Sequence, residues 1–423
     1  MNVLWLANIP LPEASDLMNE NPLPLGGWLI TASKNLSTKD NIKLSIAFPN
    51  PQSKDIKKLT GEKINYFSFP AINFKDKESV RQNKYLKNIL LELKPDLVHI
   101  FGTEFAHSLA MINICKEQGI KTVINIQGLV SVIAKHYTAG IPIRVQTRFT
   151  FRDFVKRSNI LLQQKQFEKR GLLEIEAIQK ANHIIGRTTW DKACAAQINP
   201  NVAYHFCNET LREEFYKHEW VYENCEKYSI FLSQASYPIK GLHHVLEALP
   251  SILKKYPQTK VYIAGPDVTV AKTLKDKLKK SSYAKYIEEL IERNNLINHI
   301  SFTGVLQEKQ MCERFLKSHI FVSPSIIENE SNSLSEAKIL GVPSIASYVG
   351  GVIDRLKHNE EGFLYQHDAA YMLAHYVCEI FENEIMAKEF SGNARENALQ
   401  THNPLNNTKR LFEIYEEILQ KKE

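Results

Sequence analysis

The sequence predicts an α/β protein made of two doubly wound, Rossmann-like domains. Three observations carry this. Short apolar runs alternate with longer amphipathic stretches along the chain. The runs are apolar throughout instead of alternating with polar residues, as strands of a parallel sheet covered on both faces are. The pattern lapses near 212–228, in the polar and aromatic stretch REEFYKHEWVYENCEKY, and then starts again. A chain of 423 residues is too long for one core and comfortable for two. The expected domains are 1–215 and 216–405, followed by a helix over 406–423 that can cross back to the first domain.

In the first half, VLWLA (3–7), KLSIAF (43–48), LVHIF (97–101), KTVINI (121–126) and HIIG (183–186) read as strands. ESVRQNKYLKNILLELK (78–94) between them reads as one helix, and IPLPEASDLMNENPLPLGG (9–27) as a Pro-rich loop. In the second half the strands are SIFLS (229–233), KVYIAG (260–265), HISFTG (299–304), HIFVSP (319–324) and PSIAS (343–347). Ligands of open parallel sheets bind beyond the carboxyl ends of the strands, so two such domains are expected to face each other across a cleft.

Composition narrows the function classes. The opening NVLWLAN lacks a basic start and a long apolar core, so no secretory signal is expected, and no run approaches the ~20 apolar residues that span a bilayer. Six scattered cysteines form no close pair, which suits reduced thiols and a cytoplasmic setting. The net charge of +6 is local: 135–170 holds nine Lys/Arg against Asp153 and Glu168. No nucleic-acid partner is therefore expected.

The chemistry concentrates in SIIENESNSLSEAKILGVPSIAS (325–347), where Glu328, Glu330 and Glu336 fall between two apolar runs. HIFVSP ends a buried strand, so 325–332 is a loop at its carboxyl end, and SLSEAKIL begins a helix whose free amides favour an anion such as a diphosphate. Ser333-x-x-Glu336 also fits a capping box, which by itself accounts for a glutamate there. Glu328 and Glu330 fit a solvated loop equally well.

Glu328, seven intervening residues and Glu336, then Ala337 and Gly341-Val342-Pro343, resemble the E-x7-E signature of retaining glycosyltransferases of family 4, which have the GT-B fold. KPDLVHIFG (94–102), YPIKGLHHVLEAL (237–249), FTGVL (302–306), FVSPS (321–325) and GGVIDRLKHNEEGFLY (350–365) look like family segments in family order, and the chain resembles bacterial capsule and O-antigen polysaccharide glycosyltransferases. The resemblance implies that Glu336 accepts hydrogen bonds from the nucleotide ribose, and that Glu328 binds hydroxyls of the donor sugar. It implies that Asn332, Ser333 and Leu334 offer backbone amides to the phosphates, and that Lys240 and the pair Gly26-Gly27 lie beside the diphosphate. Glu330 gains no role from it and reads as solvent-facing.

Two positions depart from that pattern. The arginine usual five residues before the lysine is Ala235, and Gln127 in NIQGL stands where many relatives carry a histidine near the donor sugar. Arg187 and Arg212 are candidate substitutes for the missing arginine, each with an ordinary structural reading beside it. His99 and His136 receive no role. No D-x-D occurs, so no metal is expected, and the co-substrate is a nucleotide diphosphate sugar without a further cofactor.

The basic segment is the remaining candidate. Arg144, Arg148, Arg152 and Lys156 recur every four residues, which on a helix gives one face, with Phe149, Phe151 and Phe154 interleaved and Pro142 at its start. Such a helix suits an anionic membrane surface or, equally, a solvated face. The resemblance implies a hexosyltransferase-type retaining enzyme acting on an oligosaccharide or lipid-linked acceptor in surface polysaccharide synthesis, cytoplasmic or peripheral to the membrane. A non-catalytic nucleotide-sugar-binding partner and a sugar-nucleotide epimerase of the same fold are the alternatives.

Overall fold

The structure, a computed structural model, describes residues 1–420 apart from 24, 25, 75, 270–272 and 274–277. The chain forms two compact units. Unit 1 comprises Met1–Ser131, Lys169–Arg212 and the segment from His402; unit 2 comprises Val132–Glu168 and Glu213–Thr401.

Unit 1 is an eight-stranded sheet of β1 (Asn2–Leu6), β2 (Lys43–Asn50), β3 (Lys57–Thr60), β4 (Asn65–Pro70), β5 (Leu97–Phe101), β6 (Lys121–Asn125), β7 (His183–Gly186) and β8 (Ala203–Phe206). Its order is β3-β4-β2-β1-β5-β6-β7-β8, parallel except where β3 meets β4. β1 lies between β2 and β5, with Val3 opposite Leu44 on one side and Leu97 on the other. Trp5, Phe48, Phe101 and Leu29 pack with Ile414 and Tyr415 in its core. Tyr415 ties the segment from His402 to the sheet: the Trp5 Nε1–H donates to its hydroxyl at 2.9 Å, and that hydroxyl lies 2.6 Å from His99 Nδ1. Burial holds the His99 ring neutral.

Unit 2 is a six-stranded parallel sheet of β9 (Glu226–Leu232), β10 (Lys260–Ile263), β11 (Ile300–Phe302), β12 (Ser318–Ser323), β13 (Ser344–Ser347) and β14 (Gly362–Tyr365). The order β11-β10-β9-β12-β13-β14 reverses between β9 and β12. That is the topological switch point, where loops leave in opposite directions and open a crevice. Phe231 and Phe321 from these central strands pack with Phe315 beneath it.

Several expected elements are corrected. The helix over 78–94 is two helices, Lys77–Arg81 and Lys84–Leu93, because the Asn83 side chain accepts from the amides of Tyr85 and Leu86 and starts a new helix. Residues Pro12–Leu17 of the Pro-rich loop are helical, with proline at the first turn, and positions 24 and 25 of that loop lie outside the described residues. β3, β4, β8 and β14 were absent from the sequence reading. The stretch 132–168, expected in the first domain, clusters with unit 2, and the C-terminal helix is Pro404–Gln420, with 421–423 outside the described residues. Among the described residues no helix is long and apolar enough to cross a membrane.

Candidate functional site

The crevice of unit 2 gathers most of the residues singled out in its sequence. β9 runs into a loop that ends in the short turn Pro238–Lys240, and Gly241 then starts the helix Leu242–Lys255. Gly241 has φ +72°, and a Cβ there would lie 1.8 Å from the carbonyl oxygen of Pro324. Only glycine lets this turn sit against the loop after β12. Ile326 N–H donates to the Ile239 carbonyl at 2.9 Å, so the two loops are also joined through their backbones.

This contact places Lys240 Nζ 2.6 Å from Glu328 Oε2, and the Ser325 hydroxyl donates to the same oxygen at 3.3 Å. Burial works against the charged ammonium, but the Glu328 carboxylate, with Tyr237 adding to it, more than offsets this and holds the Lys240 pKa above the usual lysine value. The backbone of Glu328 is fixed as well. Its carbonyl accepts from Gly351 N–H at 3.1 Å, and a Cβ on Gly350 (φ +50°) would come within 2.0 Å of that oxygen. Glycines 350 and 351 thus set where the glutamate points.

The helix Asn332–Leu340 opens over the crevice. Its cap is Ser331, whose hydroxyl accepts from Leu334 N–H at 3.3 Å, so the expected capping box on Ser333 and Glu336 does not form. Glu336 is the fifth helical residue, two positions past the one that could close a box with Ser331, and it is buried. Of the three amides expected to face phosphate, that of Leu334 is engaged by Ser331. Those of Asn332 and Ser333 make no hydrogen bond among the described residues. Ser233, Gln234, Lys240, Ser325, Ser331 and Ser333 line a small polar hollow at this point.

Glu330 is not solvent-facing. Its carboxylate is fully buried and pairs with Arg355 at 2.8 Å, so it pins the loop to the segment that follows β13. Ala235 is buried, and no arginine takes its place in the hollow's lining.

The other donor-site candidates, Gly26, Gly27, Gln127 and Arg187, lie in unit 1. Arg187 is buried in an ion pair with Glu209 at 2.6 Å and also donates to the Ile126 carbonyl at 3.1 Å. Gln127 Nε2 donates to Asn125 Oδ1 at 2.7 Å and to Glu209 Oε1 at 2.8 Å. These residues form one internal network around Glu209. Gly26 has φ +71° and opens the helix Gly27–Ser37, while a Cβ on Gly27 would strike the Arg212 side chain at 2.3 Å. Both glycines therefore have a packing reason for being there.

The basic segment does not form one face. Its chain bends after the helix Ile143–Gln146, and Thr150 begins a second helix, Phe151–Lys156, with a capping box to Asp153. Arg144 and Arg148 both pair with Glu289, at 3.2 and 2.7 Å, and Arg152 lies 3.2 Å from Asp153. Lys156 makes no ion pair among the described residues. Nor do these gather three or more His, Cys, Asp or Glu side chains that could hold a metal ion.

Residues 213–397, under half of the chain, match the family of glycosyl transferases group 1. The chain is 26% identical over 166 residues to a poly(ribitol-phosphate) alpha-N-acetylglucosaminyltransferase of Staphylococcus aureus, covering 39% of this chain and 30% of that protein. It is 29% identical over 136 residues to a 2-deoxystreptamine N-acetyl-D-glucosaminyltransferase of Niallia circulans, covering 30% of this chain and 35% of that one. The chain thus spans about a third of the length of the curated relatives it matches. Among solved structures, sucrose-phosphate synthase of Thermosynechococcus elongatus superposes with a TM-score of 0.69 at 15% identity, covering 99% of this chain and 98% of that one. Anabaena HepE in complex with UDP gives 0.67 at 14%, covering 99% and 100%. The chain has the GT-B fold.

Proposed function

We propose that the protein is a retaining hexosyltransferase that moves a sugar from a nucleotide diphosphate sugar to a hydroxyl of a lipid-linked oligosaccharide in surface polysaccharide synthesis. The observation that carries this reading is the Lys240–Glu328 pair, whose lysine lines the polar hollow at the switch point of unit 2 beside the start of the helix Asn332–Leu340. An ammonium has three donors. With one on Glu328, two remain for phosphate oxygens, and the Asn332 and Ser333 amides add two more. Preorganised donors of this kind are worth about 2.7–4 kcal/mol each where charge develops on a leaving group. No metal is assigned to the reaction.

In the proposed step the acceptor oxygen attacks the anomeric carbon on the face from which the nucleotide leaves. The bond to the phosphate oxygen breaks with its electron pair, and the acceptor proton passes to that phosphate. Glu328 accepts from donor-sugar hydroxyls with its remaining lone pairs, and Glu336 from the ribose, since a carboxylate accepts two bonds and donates none. The setting is the cytoplasmic face of a membrane, with peripheral attachment.

Ala235 and the internally bonded Gln127 favour a second reading, a nucleotide-sugar-binding partner without turnover. One experiment separates the two. Purified protein is incubated with a panel of nucleotide sugars and extracted lipid-linked oligosaccharides, and both transfer and slow donor hydrolysis are followed. Binding without either would overturn the enzyme reading, and product formed without any acceptor would point to the epimerase.

A further inference from the structure

The helix Phe151–Lys156 is built inside out. Its residues at i, i+3 and i+4, Phe151, Phe154 and Val155, form one face. That face is the exposed one: the three side chains keep 60%, 74% and 64% of their accessible surface. The polar residue Asp153 points inward, fully buried, where it caps its own helix and accepts from Ser282 N–H at 2.9 Å at the start of the helix Ser282–Arg293. The polar side of the helix is thus bolted to the body of unit 2 and the apolar side is left uncovered. Phe149, just before the cap, and Ile143, on the preceding helix, are exposed too.

Charge selects the occupant. Lys156 and Arg157 flank the apolar face and are exposed, and neither makes an ion pair among the described residues. Asp153 is the one acid between 137 and 160, and it is buried. A helix face that offers phenylalanine beside two unpaired cations, with the nearby Glu289 already engaged by Arg144 and Arg148, matches a bilayer interface, where rings sit at the acyl boundary and cations meet anionic headgroups.

We propose that Phe149, Phe151, Phe154 and Val155 form a wedge that inserts into an anionic lipid surface, with Lys156 and Arg157 as its electrostatic rim. This deepens the peripheral attachment in the proposed function and rests on that reading. It shifts the anchor from an arginine stripe to aromatic insertion, because Glu289 already occupies Arg144 and Arg148.

The test is sedimentation of the full chain with sucrose-loaded vesicles of phosphatidylcholine with and without phosphatidylglycerol. Wild-type protein is expected to pellet with the anionic vesicles. The double substitution Phe151→Ser and Phe154→Ser is expected to lower partitioning by about tenfold or more, at low and high salt alike. Substituting Lys156→Gln and Arg157→Gln should remove only the salt-sensitive part. Wild-type protein that stays in the supernatant, or a phenylalanine variant that binds as wild type, overturns the wedge. So does a variant that changes the oligomeric state in sedimentation velocity without vesicles, which would mark a protein interface. Donor binding and hydrolysis without vesicles are measured on the same proteins. Their absence in wild type would count against the transferase reading and leave the wedge to be judged by the pelleting alone.

Discussion

Glu328, Glu330 and Glu336 occupy nine positions and meet three environments: an ion pair at the rim of a polar hollow, a buried ion pair, and the second turn of a helix. Their spacing was legible in the sequence, but their partners were not, because Lys240 and Arg355 reach them from segments far along the chain. Glu330→Ala is expected to destabilise unit 2 by about 3–5 kcal/mol, since it leaves the Arg355 guanidinium buried without its carboxylate. Chemical denaturation would measure this. Glu336→Gln tests the ribose role cleanly because Glu336 takes no part in the cap. The expected outcome is about tenfold weaker binding of nucleoside diphosphates, read by calorimetry. Equal affinity would leave Glu336 a buried residue of the helix and nothing more.

At the scale of the element, the glycines decide more than the acids do. Gly241→Ala would need a Cβ where the Pro324 carbonyl already stands, at a φ that alanine rarely adopts. The expected result is a loss of about 2 kcal/mol or more, together with weaker donor binding as Lys240 moves from Glu328. Alanine in place of Ser331 should cost about 1 kcal/mol by removing the helix cap, a loss seen in the thermal midpoint. The sequence showed the glycine beside Lys240 but not the carbonyl facing it, since close approach between two loops leaves no periodicity. The cap was misplaced by two residues because SNS offers two serines, and only the extended backbone at Ser331 (φ −85°) chooses between them. The inverted helix Phe151–Lys156 escaped for a related reason. A four-residue spacing of arginines suggested one continuous helix, and the Thr150 cap that interrupts it is a single short side chain.

For the molecule as a whole, ten of the strands were read from apolar runs. The four missed are short or carry Asn, Ser, Lys or Gly within them, and β3 and β8 are partly exposed strands at the two edges of the first sheet, so no apolar run marks them. The restart of the pattern gave the two sheets, whereas the assignment of 132–168 to unit 2 could not be read, since it depends on contacts such as Asp153 with Ser282. One pH effect follows from the first sheet. In the loop after β5, burial, helped by the nearby Glu174 carboxylate, raises the Glu104 carboxyl from 4.5 to about 7, against the pull of Arg170 and local amides. A raised folded-state value means that the folded protein binds more protons than the unfolded chain between those limits. Stability is therefore lost as pH rises from about 4.5 to about 7, and the cost is complete above that window. Glu104→Gln is expected to raise stability by on the order of 2 kcal/mol at pH 8 and to change little at pH 4, as thermal melts at the two pH values would show.

Tyr415, which joins Trp5 and His99 in the core of unit 1, sets an order on synthesis. The first sheet to leave the ribosome cannot satisfy its own interior until the segment from His402 has been made, while every residue of unit 2 lies before that point. The second unit can therefore be finished first, with the first waiting beside it for its last helix. A chain released after Thr401 should show unit 2 resistant to protease and unit 1 still open to it.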